Sequence, residues 1–281
     1  MTPRRFLQGI TPPVVWRALA PALKALTPPG ASNGISFEGD FRTWNEAASR
    51  CTGYADRAIL DKVLAATLKV KRGEAAFERD SIVFDRIEYS WPLLASLMWA
   101  AARGGGKLNV LDFGGALGST YFQNRRFLQA IADLHWNVVE QPHYVEAGRR
   151  YIQDDHLEFH TNIEECLRDH RVNAVLLGSV LQYLKSPFEC TSLLSRLGAD
   201  VLIVDRTPFS TRAEDRLMIQ RVPPSIYRAS YPMWCFSQRV FLRALGAHWR
   251  LVESQITADG SVHLPDGFRF SFQCLIMEAV K

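Results

Sequence analysis

Several absences narrow the field before any motif is read. The 281-residue chain has no uncharged apolar run of about 18 residues, so no segment reads as a membrane-spanning helix. Its five cysteines, Cys51, Cys166, Cys190, Cys235 and Cys274, are odd in number, scattered, and form no C-x-x-C pair. Reduced thiols in a cytoplasmic protein have this pattern, and the cytoplasm is the expected location. There is no H-E-x-x-H and no cysteine quartet. His156 and His160 are four apart, but in a stretch that reads as turn and strand, so no metal is expected. Internal repeats and low-complexity tracts are also lacking.

Acid is missing from the first thirty residues, where Arg4, Arg5, Arg17 and Lys24 account for the whole net charge of +4. The remainder is balanced, with twenty-nine bases and twenty-nine acids. A neutral body lacks the broad positive field of nucleic-acid binders, so no nucleic-acid partner is expected. Residues 12–26 place Trp16, Leu19, Leu23 and Leu26 at helical spacing opposite basic residues. This arm, residues 1–30, reads as an amphipathic helix that packs on the body or makes a peripheral membrane contact. "TPRRFLQG" is close to a twin-arginine leader but lacks the residue between the arginine pair and Phe6. Pro12, Pro13, Arg17 and Pro21 then interrupt the apolar stretch a signal would need.

What is present is a full-sized core: 47% hydrophobic and 11% aromatic residues in a chain of this length. Residues 31–106 read as a helical cap. Thr43 is placed to cap "WNEAASR", residues 56–70 repeat apolar positions every three or four, and a helix across 86–103 carries Pro92 near its start. From residue 107 the rhythm changes. "LNVLDF", "HWNVVE", "LEFHT", "VNAVLLG" and "ADVLIVDRTPF" are short apolar strands, each followed or preceded by a helical segment. Strands alternating with helices at this spacing predict a parallel sheet covered on both faces. "HWRLVESQI" and "FRFSFQCLIMEAV" add a terminal strand pair. Residues 207–235 lack clear periodicity and read as an irregular excursion from the fifth strand.

The informative segment is "VLDFGGALGSTYF", residues 110–122. A glycine turn between a first strand and its helix lets backbone N–H groups approach a ligand closely. Asp112 sits on that strand just before Gly114, with its carboxylate directed at the turn. There it would repel a pyrophosphate and attract a cationic amino group. The spacing D-x-G-G-x-x-G also departs from the dinucleotide fingerprint G-x-G-x-x-G. The second strand ends in Glu140, 22 residues after Gly118, where an acid can accept hydrogen bonds from both hydroxyls of an adenosine ribose. Ser119 lies in G-S-T rather than a G-x-S-x-G elbow, which argues against a hydrolase. His143, at the start of a helix, reads as part of the helix N-terminus.

In these features the sequence resembles the class I methyltransferases that use S-adenosylmethionine (SAM). More closely, it resembles a bacterial group of methyltransferase-like proteins often associated with surface-polysaccharide gene clusters. The matching segments include "GDFRTWNEAASRCTGY", "KVKRGEAAFERDSIVFDRIEYSWPLLASL", "NVLDFGGALGSTYFQNR", "WNVVEQPHYVEAG", "LGSVLQYL" and "VDRTPF…VPPSIYRASYP". The resemblance implies a Rossmann-like three-layer α/β fold, with a mostly parallel seven-stranded sheet and a C-terminal antiparallel hairpin, across residues 107–281. It implies SAM as cofactor and defines the acceptor poorly; the expectation is transfer of a methyl group to an oxygen of a small-molecule or glycan acceptor.

By residue, the resemblance puts Asp112, Gly114, Gly115 and Gly118 around the methionine end, Glu140 on the ribose and Gln141 beside the adenine. Many members have an acid near the adenine amine after strand three. This chain has Thr161-Asn162, so Asn162 takes that place. "GSVLQYL" follows strand four, where members line the reactive methyl, which implicates Gly178, Ser179, Gln182 and Tyr183. Tyr183 and Asp205 are the base candidates by position. Segment 207–235 is expected to form a lid over the acceptor, with Phe209, Tyr227, Tyr231 and Trp234 as walls. Arg206, Arg221 or Arg228 would hold an anionic group. The competing expectations are an NAD-dependent sugar-nucleotide oxidoreductase and a catalytically silent SAM-binding protein.

Overall fold

The computed structural model describes residues 34–52, 57–224 and 229–280. The basic arm 1–30, Tyr227 and Arg228 lie outside the described residues. Among the described residues, twelve strands and eight α-helices follow in order. Strand β1 (Ser36–Phe41) leads to α1 (Trp44–Ala48), where Thr43 accepts a hydrogen bond from the Glu46 amide at 3.2 Å. Helix α2 (Arg57–Lys71) precedes a hairpin of β2 (Phe77–Arg79) and β3 (Ile82–Phe84), and α3 (Trp91–Arg103) has Pro92 in its first turn. The alternating part runs β4 (Lys107–Phe113), α4 (Ser119–Leu128), β5 (Asp133–Val139), α5 (Pro142–Ala147), β6 (Leu157–His160) and α6 (Ile163–Asp169). It continues through β7 (Ala174–Gly178), α7 (Pro187–Leu194) and β8 (Val201–Ser210). Then come β9 (Arg216–Val222), β10 (Ala229–Ser237), α8 (Gln238–Leu245), β11 (Trp249–His263) and β12 (Arg269–Ala279).

The heart of the sheet is β6-β5-β4-β7-β8, all parallel, with β12 antiparallel on β8 and β11 antiparallel on β12. This is the Rossmann-like α/β plan expected from residue 107 onward. Successive strand residues feed opposite faces, as a sheet covered on both sides requires. Val110, Leu176 and Ile203 join Val63, Leu97 and Tyr121 of α2, α3 and α4. Leu111, Leu177 and Val204 join Ile163, Leu194 and Phe241 of α6, α7 and α8. No helix among the described residues is long and apolar enough to cross a membrane.

Two expectations need correction. Residues 31–106 are not purely helical: β1 pairs antiparallel with β9, so the N-terminal part supplies a strand to the main sheet. Segment 207–235 is not irregular. Its residues extend β8 to Ser210 and then form β9 and β10, which pair antiparallel from Ala229↔Val222 to Cys235↔Arg216. The stretch "LMIQRV" reads poorly as a strand because Leu217, Met218, Ile219 and Gln220 are all buried, leaving no simple two-residue alternation. Beyond Asp205, where β7 has ended, β10 takes its place beside β8 through Phe236↔Phe209 and Ser237↔Ser210. The sheet therefore has ten strands, and β10-β9-β1 rises past the carboxyl ends of β4, β5 and β7 as a wall.

Candidate active site

A cavity of about 860 Å³ lies between those strand ends and that wall. This is near the upper end of the ~300–1,000 Å³ usual for ligand pockets. Its floor is the turn after β4. Gly114 and Gly118 adopt φ of +74° and +83°, and Ala116 also enters the left-handed region at +49°. A Cβ on Gly114 would meet Val180 Cγ2 at 2.4 Å, and one on Gly115 would meet the Asp112 carboxylate at 2.5 Å. Glycine is therefore required here by close approach as well as by φ. The second of these contacts shows that the Asp112 carboxylate faces the turn.

Asp112 is buried, and its Oδ2 accepts a hydrogen bond from Trp136 Nε1 at 3.0 Å. Burial pushes its carboxyl up to about 7, and the nearby Glu140 charge adds to the rise. Glu140, at the end of β5, lines the same cavity. Its carboxyl is also raised, chiefly by burial, while a hydrogen bond from the Gln141 amide at 2.5 Å works the other way. Two carboxylates largely removed from water, with the Arg206 charge only partly offsetting the rise at Asp112, form an arrangement that a positively charged, hydroxyl-bearing ligand would relieve.

Of the residues named from sequence, Asp112, Gly114, Gly115, Glu140, Gln141, Asn162, Gly178, Ser179 and Tyr183 all line this one cavity. Asn162 does so while capping α6, its Oδ1 accepting from the Glu165 amide at 2.8 Å. Gly118 lies just behind the turn as the left-handed cap of α4, where a Cβ would crowd Leu157. Gln182 and Asp205 need correction. Gln182 is fully buried beneath the wall, its Nε2 donating to Ser179 Oγ at 3.0 Å and to the Arg206 carbonyl at 3.2 Å. It braces two non-glycine residues in the left-handed region, Ser179 at φ +57° and Arg206 at +50°. Asp205 turns away from the cavity toward Cys274, and its Oδ1 is buried without a partner. It is not placed to take a proton from a substrate. The strand alternation that points Asp205 into the sheet core could not be read from its position at the strand end alone.

Tyr183 donates to Gln220 Oε1 at 3.0 Å, and Gln220 Nε2 donates to Tyr231 at 3.3 Å. The two tyrosine rings meet edge to face at 4.9 Å. Burial pushes the Tyr183 phenol up to about 12, so at neutral pH it is a donor and not a base. Arg206 faces Asp80 at 3.7 Å, and Arg79 faces Asp259 at the same distance. All four line the cavity.

Sequence reasoning missed the β2–β3 hairpin that closes this end. Its turn residues Asp80 and Ser81 both have positive φ, the geometry of a tight two-residue hairpin, without the glycine or asparagine that would have advertised it. The alternation in "FERDSIVF" was the available signal. Glu78, buried on this hairpin, accepts a hydrogen bond from Ser119 Oγ at the start of α4, and burial pushes it up to about 7. Trp44, Glu164, Gln220 and Asp259 are further lining residues not foreseen.

The chain matches no family model and no curated protein. Among solved structures it is similar to the N-terminal domain of EvdMO1 in the presence of SAH and D-fucose. That match has 11% identity, covers 79% of this chain and 97% of that one, and has a TM-score of 0.48. It is also similar to SAM-bound CalS10, an amino pentose methyltransferase from Micromonospora echinaspora involved in calicheamicin biosynthesis (12% identity, 69% and 92% covered, TM-score 0.41). A third likeness is to the glycopeptide N-methyltransferase MtfA complexed with sinefungin (11% identity, 66% and 93% covered, TM-score 0.41). These likenesses are remote.

Proposed function

We propose that the chain is a SAM-dependent methyltransferase acting on an oxygen of a small molecule or sugar. The observation that carries this reading is the pairing of Asp112 and Glu140. One is a buried carboxylate beneath a glycine turn, the other an acid at the end of the adjacent strand, and both face one cavity. Asp112 is suited to the amino end of the cofactor and Glu140 to its ribose hydroxyls. A pyrophosphate over Asp112 would meet repulsion instead, which disfavours a dinucleotide. Ile163 and Glu164, at the start of α6, offer an apolar surface and an acceptor for the adenine. When bound, the cofactor supplies an activated methyl group open to in-line displacement by an oxygen.

The opposite half of the cavity suits the acceptor. Tyr183, Gln220 and Tyr231 form a hydrogen-bonding wall with aromatic faces, the chemistry that holds a sugar ring. Arg206 can bind an anionic substituent by exchanging its contact with Asp80. A hydroxyl acceptor must lose its proton, and Asp80 and Asp259 are the carboxylates lining that half. Holding the oxygen on the displacement axis is the larger contribution expected of this wall. A sugar of a surface polysaccharide or a related small molecule is the acceptor class this reading favours.

The test is incubation of the purified chain with methyl-labelled SAM and a fractionated cell extract. A product heavier by one methyl group is expected, with label on oxygen. Separate titrations with SAM and NAD check the cofactor: heat with NAD alone would overturn the reading in favour of an oxidoreductase. SAM binding with no transfer to any fraction would leave a silent SAM-binding protein.

A further inference from the structure

A second cluster lies away from the cavity, on the face of the sheet covered by α6. One ring nitrogen each of His135 and His170 and a carboxylate oxygen of Glu158 lie within 4.8 Å of one another. The three come from separate elements: His135 from β5, Glu158 from the neighbouring β6, and His170 from the end of α6. His170 Nε2 stands 3.4 Å from Glu158 Oε2. That separation is close to the edge of a tetrahedron with metal–ligand bonds of ~2.0–2.1 Å, roughly 3.3 Å. The His135 ligand atom lies within 4.8 Å of both, so closing the remaining two edges around an ion calls for a movement of the half-exposed His135 ring.

A second observation points independently to a ligand. His135 Nδ1 is buried with no hydrogen-bond partner. Its other nitrogen, Nε2, faces Asp133 Oδ1 at 3.5 Å. A carboxylate behind one nitrogen of an imidazole fixes the ring and leaves the other nitrogen as a lone-pair donor, the usual outer support of a metal-bound histidine. Asp133 is itself held by Lys107 Nζ at 2.8 Å. His160 is nearby but engaged, its Nε2 at 3.2 Å from Asn137 Oδ1. Side-chain exposures of 41% for His135, 35% for Glu158 and 9% for His170 leave the cluster reachable from solvent.

We propose that His135, Glu158 and His170 bind one borderline divalent cation, with Zn²⁺ the best fit to two imidazoles and a carboxylate. Such a donor set suits Zn²⁺ better than Mg²⁺ or Ca²⁺, which take oxygen ligands. Three protein ligands leave a fourth position for water. The ion ties the edge strand β6 and the carboxyl end of α6 to β5. The amino end of that same helix carries Asn162 and Glu164 into the cavity, so the ion steadies one cavity wall from behind. The site does not depend on the cofactor assignment.

The test uses the full-length untagged chain, stripped with a chelator, and titrated with Zn²⁺ by calorimetry at pH 7.5. One equivalent should bind saturably and raise Tm. His135→Ala and His170→Ala should each weaken binding by at least tenfold, a loss as large as outer-shell changes alone produce. His263→Ala, on β11, should leave it unchanged. Replacing Zn²⁺ with Co²⁺ should give the visible absorption of a tetrahedral site in the unaltered chain, a reading that does not depend on how the variants fold. Failure of the unaltered chain to bind Zn²⁺ saturably overturns the proposal. So does equal affinity in the His135→Ala/His170→Ala double variant, which would mean the metal sits elsewhere.

Discussion

On the proposed reading, the ionisation of Asp112 ties SAM binding to pH. Burial holds this carboxyl at about 7 in the free protein, against 3.8 for an ordinary aspartate. At pH 6 the free protein therefore holds it mostly protonated. A cationic ligand above it favours the ionised form, so binding below pH 7 must release a proton. The affinity for SAM should rise as pH increases toward 7 and level off above it. Between pH 5.5 and 6.5 the slope approaches tenfold per pH unit, equivalent to about 1.4 kcal/mol. An α-amino group, with a pKa of about 7.7–8.0, stays protonated across this window, so the ligand's own titration does not contribute. Calorimetry in two buffers of different ionisation enthalpy counts the proton directly. Glu78 and Glu140 are also raised, so Asp112→Asn is the control: it should weaken binding and flatten the slope. The raised pKa has a stability consequence of opposite sign. A carboxyl whose folded pKa lies above its unfolded one stabilises the fold below about pH 4, and that contribution is lost as pH rises to 7. The rise from 3.8 to about 7 makes this at most ~4 kcal/mol, so ligand-free Asp112→Asn should melt higher than the parent at pH 8. A SAM affinity constant from pH 5.5 to 7.5, or an equal slope in Asp112→Asn, would refute the reasoning.

Three further predictions concern other parts of the site. Glu140→Ala removes a charged acceptor worth about 1.5–3 kcal/mol, so SAM affinity by calorimetry should fall roughly tenfold to a hundredfold with circular dichroism unchanged. Gly114→Ala combines a left-handed φ with a 2.4 Å contact to Val180, so SAM binding should be lost while far-ultraviolet dichroism persists. Gln182→Leu leaves Ser179 Oγ and the Arg206 carbonyl without their donor. Thermal melting should show a loss of about 1–3 kcal/mol, with methyl transfer falling more than SAM affinity.

The legible parts of this protein were the local ones. The strand from Lys107 to Phe113, the turn after it and Glu140 each announce themselves within a dozen residues, through an apolar run, a glycine cluster and an acid at a strand end. What escaped depends on distant pairing. Ser36–Phe41 is a strand only because Arg216–Val222 lies beside it, about 180 residues later. The hairpin at 77–84 turns through Asp80 and Ser81, a pair with no strong turn signature. The failure at Asp205 has the same root. Alternation carries Asp205 to the face of Cys274, while the left-handed φ of its neighbour Arg206 breaks the alternation beyond it and brings Arg206 into the cavity lining. Sequence spacing carries no trace of such a break.

The added wall changes the kind of molecule that this cavity can accept. Open sheets of this type end in a crevice, along which a long substrate can lie with both ends free. Here the crevice is bounded by β9 and β10 on one side, by the hairpin with its Asp80–Arg206 and Arg79–Asp259 pairs on another, and by Asn162 and Glu164 on a third. A chamber bounded on three sides favours substrates that enter whole or by a terminus, and disfavours the interior of a continuous polymer. On the proposed reading, methylation would then mark a free building block or a chain end. The modified position would record when in assembly the enzyme acted.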